Sequence, residues 1–123
     1  MGALSGRHIL LVEDEAFIAL DLQHMLGRRG ATVIGPAASV SEALDAIDAN
    51  QIDCALLDVK LGGETADSVA AALRQRAIPM VFVTAYGDAR LPPGFETHPV
   101  IQKPYSEEQL LRLIDSIFDR SET

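Results

Sequence analysis

The run Cys54-Ala55-Leu56-Leu57 leads straight into Asp58, and this stretch limits the fold of the chain more than any other. Small and apolar residues that end in an acid, with Gly62-Gly63 close behind, read as a strand buried on both faces. Asp58 then stands where that strand leaves its sheet. The pattern recurs. Ile9-Leu10-Leu11-Val12 ends in Glu13-Asp14, Met80-Val81-Phe82-Val83 ends in Thr84, and Pro99-Val100-Ile101-Gln102 ends in Lys103. If these strands are parallel neighbours, three carboxylates, a hydroxyl and an ammonium converge on one edge.

Helical spacing fills the gaps between the runs. Glu15 to Arg29 reads as a helix with Phe17, Ile18, Leu22, Met25 and Leu26 on its apolar face, stopped by Gly30. Ala31-Thr32-Val33-Ile34 is a short strand closed by Gly35-Pro36. Ser39 with Glu42 three residues on forms a capping box, and Val40, Ala43, Leu44 and Ile47 follow as an apolar stripe that Asn50 ends. Ala66 to Gln75 is a further helix, with Val69, Ala72 and Leu73 inward. Ser106 with Gln109 is a second capping box, ahead of Leu110, Leu113, Ile114 and Ile117. Residues 86–95 break the rhythm. Two glycines and two prolines there allow about one helical turn. Alternating strands and helices predict an α/β fold, a doubly wound parallel sheet of five strands. The flavodoxin-like order 2-1-3-4-5 fits best, with a short or irregular fourth helix. In that order the ligand crevice lies at the carboxyl ends of strands 1 and 3, the two that end in acid.

Composition narrows the function. A chain of 123 residues makes one domain, 1–123, with room for a real core, and the absence of Trp makes that core aliphatic. A net charge of −8 argues against nucleic acid and against an anionic membrane surface. The single cysteine, Cys54, allows no internal disulfide, and its place in mid-strand reads as a small buried residue rather than a redox thiol. No run reaches the roughly 18 apolar residues of a membrane span, and residues 1–7 are too short and polar for a signal peptide. The expected location is the cytoplasm. His8, His24 and His98 show no metal-ligand spacing.

Glu13, Asp14 and Asp58 cannot all stay ionised at neighbouring strand ends, about 4.8 Å apart, without a cation. All-oxygen donors, few in number, favour Mg²⁺ with several retained waters. With the acid charge offset, Lys103 and Thr84 complete a pocket for a phosphoryl group, and a carboxylate such as Asp58 can be its nucleophile. Each residue taken alone has a plainer reading. Asp58 could cap a turn, Glu13-Asp14 could favour the start of a helix, Thr84 could be an ordinary strand residue, and Lys103 a solvated lysine.

The combination resembles a bacterial two-component response-regulator receiver domain over nearly the whole chain. The likeness rests on Val12-Glu13-Asp14-Glu15, Leu56-Leu57-Asp58, Val83-Thr84-Ala85 and Lys103-Pro104-Tyr105, in order and at family-like intervals. The resemblance implies a non-enzyme that catalyses only its own phosphorylation and dephosphorylation. Asp58 would take a phosphoryl group from the phosphohistidine of a sensor histidine kinase. Asp14 and Asp58 would bind Mg²⁺ directly, Glu13 through water, and Lys60 through its backbone carbonyl. Thr84, Ala85 and Lys103 would form the phosphoryl-binding switch, and the Lys103–Pro104 bond would be cis.

Phe82-Val83-Thr84-Ala85-Tyr86-Gly87 is similar to a receiver subgroup with a Phe-Ala-Thr-Gly motif followed by Gly or Tyr, in which the fourth helix is poorly formed. Departures mark the output side. Val100 stands where the family often carries Tyr or Phe, and Gly62 and Ala66 stand where Pro and Gly are usual. The moving aromatic is then expected to be Tyr86, with Tyr105 as the other candidate, and activation is expected to order residues 86–95 for a downstream protein partner. The last helix closes the fold near the end of the sequence, so no effector module is expected in it. Two other readings are a flavodoxin-like cofactor enzyme, which needs a phosphate cradle after the first strand, and a pseudo-receiver that works by protein contacts alone.

Overall fold

The computed structural model describes residues 4–85 and 91–121, with side chains through Phe118. Five parallel strands form the sheet: β1 (His8–Val12), β2 (Thr32–Ala37), β3 (Cys54–Asp58), β6 (Met80–Thr84) and β7 (Val100–Gln102). Their spatial order is β2-β1-β3-β6-β7, the flavodoxin-like order the sequence predicts. A two-stranded hairpin, β4 (Lys60–Leu61) with β5 (Glu64–Thr65), follows β3. Four helices complete the described residues: α1 (Ala16–Arg28), α2 (Val40–Ala49), α3 (Asp67–Gln75) and α4 (Glu107–Ser121). Residues 91–99 contain no helix.

Period-two alternation divides the central strands between two cores. Leu10, Val12, Ala55, Leu57, Met80 and Phe82 face α2 and α3. Ile9, Leu11, Cys54, Leu56, Val81 and Val83 face α1 and α4. A strand sealed on both sides exposes nothing until it ends, so the first polar side chain of β3 is Asp58. The second capping box forms in full; in the first, the Glu42 carboxylate accepts the Ala38 N–H at 2.8 Å instead of the Ser39 N–H. Ser39 Oγ accepts the Glu42 N–H at 3.1 Å, and Ser106 and Gln109 bond reciprocally at 2.8 and 3.1 Å.

Three expectations change. Phe17 is 86% exposed rather than inward. It lies five residues before Leu22, roughly 140° around the helix from it, off the stripe formed by Leu22, Met25 and Leu26. Second, β2 does not close at Gly35-Pro36 but runs on to Ala37, with a register irregularity opposite Leu10 and Val12. Gly35 makes this possible. Its φ is +104°, and a Cβ there would lie 2.7 Å from Ala37 N and 2.8 Å from Leu11 O. The extension reaches the site, because the Ala37 carbonyl accepts the Glu13 N–H at 3.0 Å. Third, two short strands paired as a hairpin follow β3, where the five-strand expectation has none.

Candidate functional site

Parallel pairing brings the strand ends together. Val12 lies opposite Leu57 and Asp58 opposite Val83, so Glu13, Asp58 and Thr84 follow one another across the edge. Thr84 pairs with Gln102, which puts Lys103 one residue past the end of the sheet. The Lys103 N–H donates to the Thr84 carbonyl at 2.8 Å, and the Lys103–Pro104 peptide bond is cis. Glu13, Asp58 and Thr84 are the buried polar residues of the described chain.

Lys103 holds the centre. Its ammonium lies 3.0 Å from Glu13 Oε1, 3.1 Å from Asp58 Oδ2 and 3.6 Å from Glu15 Oε1. Burial disfavours the charged amine, but the hydrogen bonds and charges of Glu13 and Asp58 outweigh it and hold the Lys103 pKa above the usual lysine range. Burial pushes the Glu13 carboxyl up to about 7; the Glu15 N–H and Lys103 pull against this, and the Asp58 charge adds to it. The other Glu13 oxygen, Oε2, accepts the Glu15 N–H at 3.0 Å, just ahead of α1. Glu13 therefore serves the helix start and the site at once.

Asp14 is exposed, yet Glu13, Asp14 and Asp58 each offer an oxygen within 4.8 Å of the others. Three oxygen donors at that spacing suit a hard divalent cation that keeps part of its water shell. The Lys103 ammonium against Glu13 and Asp58 already shows that the cluster needs positive charge. Asp14 Oδ2 accepts the Gly62 N–H at 2.7 Å, and Asp58 Oδ1 accepts the Lys60 N–H at 3.3 Å. Ala85 follows Thr84 at the surface. Half-buried Tyr105 packs against the core between the sheet and helices α1 and α4, and burial together with the Glu13 charge pushes its hydroxyl up to about 12. Tyr86 lies outside the described residues. Cys54 is fully buried, with burial pushing its thiol up to about 12, so it is a packing residue.

Sequence reasoning missed the Gly62 tie to Asp14. It also missed a cluster beside the site. Phe95 lies edge-on to Phe82 with ring centroids 5.7 Å apart, 4.9 Å from the His98 ring, and under the Arg74 guanidinium at 3.8 Å. The glycines and prolines around Phe95 hide its role, because they carry no periodicity.

A doubly wound parallel sheet with an acidic crevice at the ends of its first and third strands defines a class of crevice-binding α/β domains. The comparisons make this specific. The response regulator receiver domain family matches residues 9–115, and the chain belongs to that family. Receiver domains serve two-component systems, where they work with histidine kinases and downstream partners. The chain is 33% identical over 89 residues to the transcriptional regulatory protein PdtaR of Mycobacterium tuberculosis, covering 69% of this chain and 42% of the relative. It is 32% identical over 119 residues to the phyllosphere-induced regulator PhyR of Methylorubrum extorquens, covering 93% and 44%. It thus spans about half the length, or less, of these curated relatives. The solution structure of SdrG from Sphingomonas melonis Fr1 superposes with a TM-score of 0.79 at 39% identity, covering 93% of this chain and 96% of that one. No helix among the described residues is long and apolar enough to cross a membrane.

Proposed function

We propose that this receiver domain is a phosphoacceptor switch with Asp58 as its nucleophile. The observation that carries this reading is the Lys103 ammonium clamped between Glu13 and Asp58 at the mouth of a sheet edge that also holds Thr84. An Asp58 carboxylate oxygen forms a bond to phosphorus while the phosphorus–nitrogen bond of a kinase phosphohistidine breaks, and its electron pair stays on the imidazole. Mg²⁺, held by Asp14, Asp58, the Lys60 carbonyl and, through water, Glu13, would offset charge on the phosphoryl oxygens. Lys103 then exchanges part of its contact with Asp58 for a phosphoryl oxygen, and the Thr84 hydroxyl donates to another. The domain catalyses this transfer and the later hydrolysis of the aspartyl phosphate, in which water takes the phosphoryl group as inorganic phosphate and the Asp58 carboxylate is restored, and no other reaction.

The readout passes from Thr84 and Ala85 into the segment that follows, towards a downstream protein partner on the 84–105 surface. Tyr86 remains the proposed moving aromatic. Of the segment expected to order on activation, residues 86–90 lie outside the described residues, and Phe95 at its end is buried. A flavodoxin-type cofactor enzyme has no support here, because the turn after β1 offers the buried Glu13 rather than a phosphate cradle.

Intact mass after incubation with acetyl phosphate and Mg²⁺ tests the reading. One phosphoryl addition, labile to hydroxylamine, is expected in the wild type and in neither Asp58→Asn nor Asp58→Ala. Asp14→Ala should lose metal binding and phosphorylation while keeping the fold, since it relieves crowding of like charge. Persistence of the adduct in both Asp58 variants would move the nucleophile elsewhere.

A further inference from the structure

The hairpin between β3 and α3 is a small, stiff piece of chain at the rim of the site. Lys60 pairs with Thr65 and Leu61 with Glu64, with Gly62-Gly63 as the turn. Gly62 has φ +60°, the positive value a type II′ hairpin turn needs at its first central position. Leu61 is buried in the core beneath α2 and α3, and the Ala66 N–H returns to the Val59 carbonyl at 3.0 Å. Both ends of the hairpin are thereby fixed. Its turn presents the Gly62 N–H to Asp14 Oδ2 at 2.7 Å, across 48 residues of sequence.

Asp14 needs such a tie. It is an exposed carboxylate beside two others, and repulsion favours rotation of its side chain into solvent. A hydrogen bond to one oxygen opposes that rotation and leaves the second oxygen free for a cation. Ligating carboxylates are commonly held by such outer contacts, whose loss weakens metal binding.

We propose that Gly62 is a positioning residue of the site: its backbone N–H, set on a rigid hairpin, orients the Asp14 carboxylate towards Glu13 and Asp58 and thereby sets the affinity of the domain for a divalent cation. The inference rests on the phosphoacceptor reading for the purpose of that cation. The hydrogen bond itself belongs to the metal-free protein.

Two substitutions separate the N–H from the bulk of the residue. Gly62→Asn keeps the N–H and tolerates positive φ, and an added Cβ meets only Asp14 Oδ2, at 4.0 Å. Gly62→Val places a β-branched residue where it does not fit, so the turn rearranges and withdraws its donor. Mg²⁺ titrations followed by amide NMR shifts should show affinity roughly tenfold weaker for Gly62→Val and within about twofold of wild type for Gly62→Asn. Wild-type affinity in Gly62→Val, or equal losses in both variants, would overturn the positioning role while leaving the phosphoacceptor reading in place. No saturable Mg²⁺ binding by the wild type would overturn both. A measurement without metal guards against misfolding of the valine variant. The Gly62 amide should exchange slowly with solvent in the wild type and faster in Asp14→Ala, and equal exchange rates would refute the tie.

Discussion

Of the connections that leave the carboxyl edge of the central strands, those after β3 and β6 are held in opposite ways. The link from β3 to α3 is fixed by backbone: a paired hairpin, a return bond to Val59, and a glycine N–H on Asp14. The described part of the link from β6 to β7, residues 91–99, contains neither helix nor strand and is anchored by side chains. Phe95 sits between Phe82, His98 and Arg74, and the Arg74 guanidinium also donates to the Gly94 carbonyl at 2.6 Å. The first connection holds a carboxylate in place whatever most of its side chains are. The second packs on the core through Leu91, the buried Pro92 and Phe95, whose ring lies against Phe82 of β6, two residues before Thr84. A displacement at Thr84 therefore reaches the second connection through the Phe82–Phe95 side-chain contact, and the first only through the backbone, where the Val59 N–H donates to the Val83 carbonyl at 3.0 Å.

The sharpest way to break this contrast is to remove the anchor. Phe95→Ala should cost about 3–5 kcal/mol, as for other buried aromatic truncations, read from urea denaturation followed by circular dichroism. Amide exchange in this variant should speed up most in residues 91–99, with the Gly62 amide still protected. Exchange raised equally in the hairpin would mean that the two connections are one unit.

Most of the site was legible in the sequence, because a strand buried on both faces cannot place a charge until it ends. Glu13, Asp58, Thr84 and Lys103 could be placed from apolar runs alone, and the parallel order then brought them side by side. What stayed hidden depended on backbone geometry or on contacts distant in sequence. Gly35-Pro36 reads as a strand end, yet the strand passes through it and its Ala37 carbonyl holds the Glu13 amide. Gly62-Gly63 marks a turn but does not say where its N–H points. Phe17 reads as inward because it is apolar and near three-four spacing, but its phase around α1 puts it outside the Leu22, Met25 and Leu26 stripe. Phe95 sat in a stretch whose prolines and glycines suggested little packing of any kind.

The acid cluster that the first connection serves carries an electrical load of its own, and acid titration reads it. Glu13 titrates near 4.5 when exposed and at about 7 in the folded site. Between those values the folded state binds more protons than the unfolded chain, so stability falls as pH rises through that window. The Glu13 share of the fall is on the order of 3 kcal/mol at most. Lys103 does not offset it there. Its raised pKa contributes stability that is fully present below the ordinary lysine range and is lost as pH rises from that range through the folded value. Urea midpoints at about pH 5 and pH 7.5 should differ in the wild type and in Phe95→Ala alike, and much less in Glu13→Gln. The same slope in Glu13→Gln would place the proton elsewhere.

The smallest effect expected is at Arg74, and it tests whether the second connection is held by the ring or by the arginine over it. Arg74 is exposed on α3. Its guanidinium lies 3.8 Å from the Phe95 centroid and bonds to an exposed residue's carbonyl, which water can satisfy in its absence. A cation over a ring at an exposed site contributes roughly 0.5–1 kcal/mol. Arg74→Ala should therefore destabilise by about 1 kcal/mol, well below Phe95→Ala. Arg74→Lys should recover little of it, since an ammonium cannot both stack flat on the ring and reach the carbonyl as the planar fork does. In both Arg74 variants faster exchange should be confined to residues 91–99. A loss as large as that of Phe95→Ala would make the arginine the anchor and the ring its support.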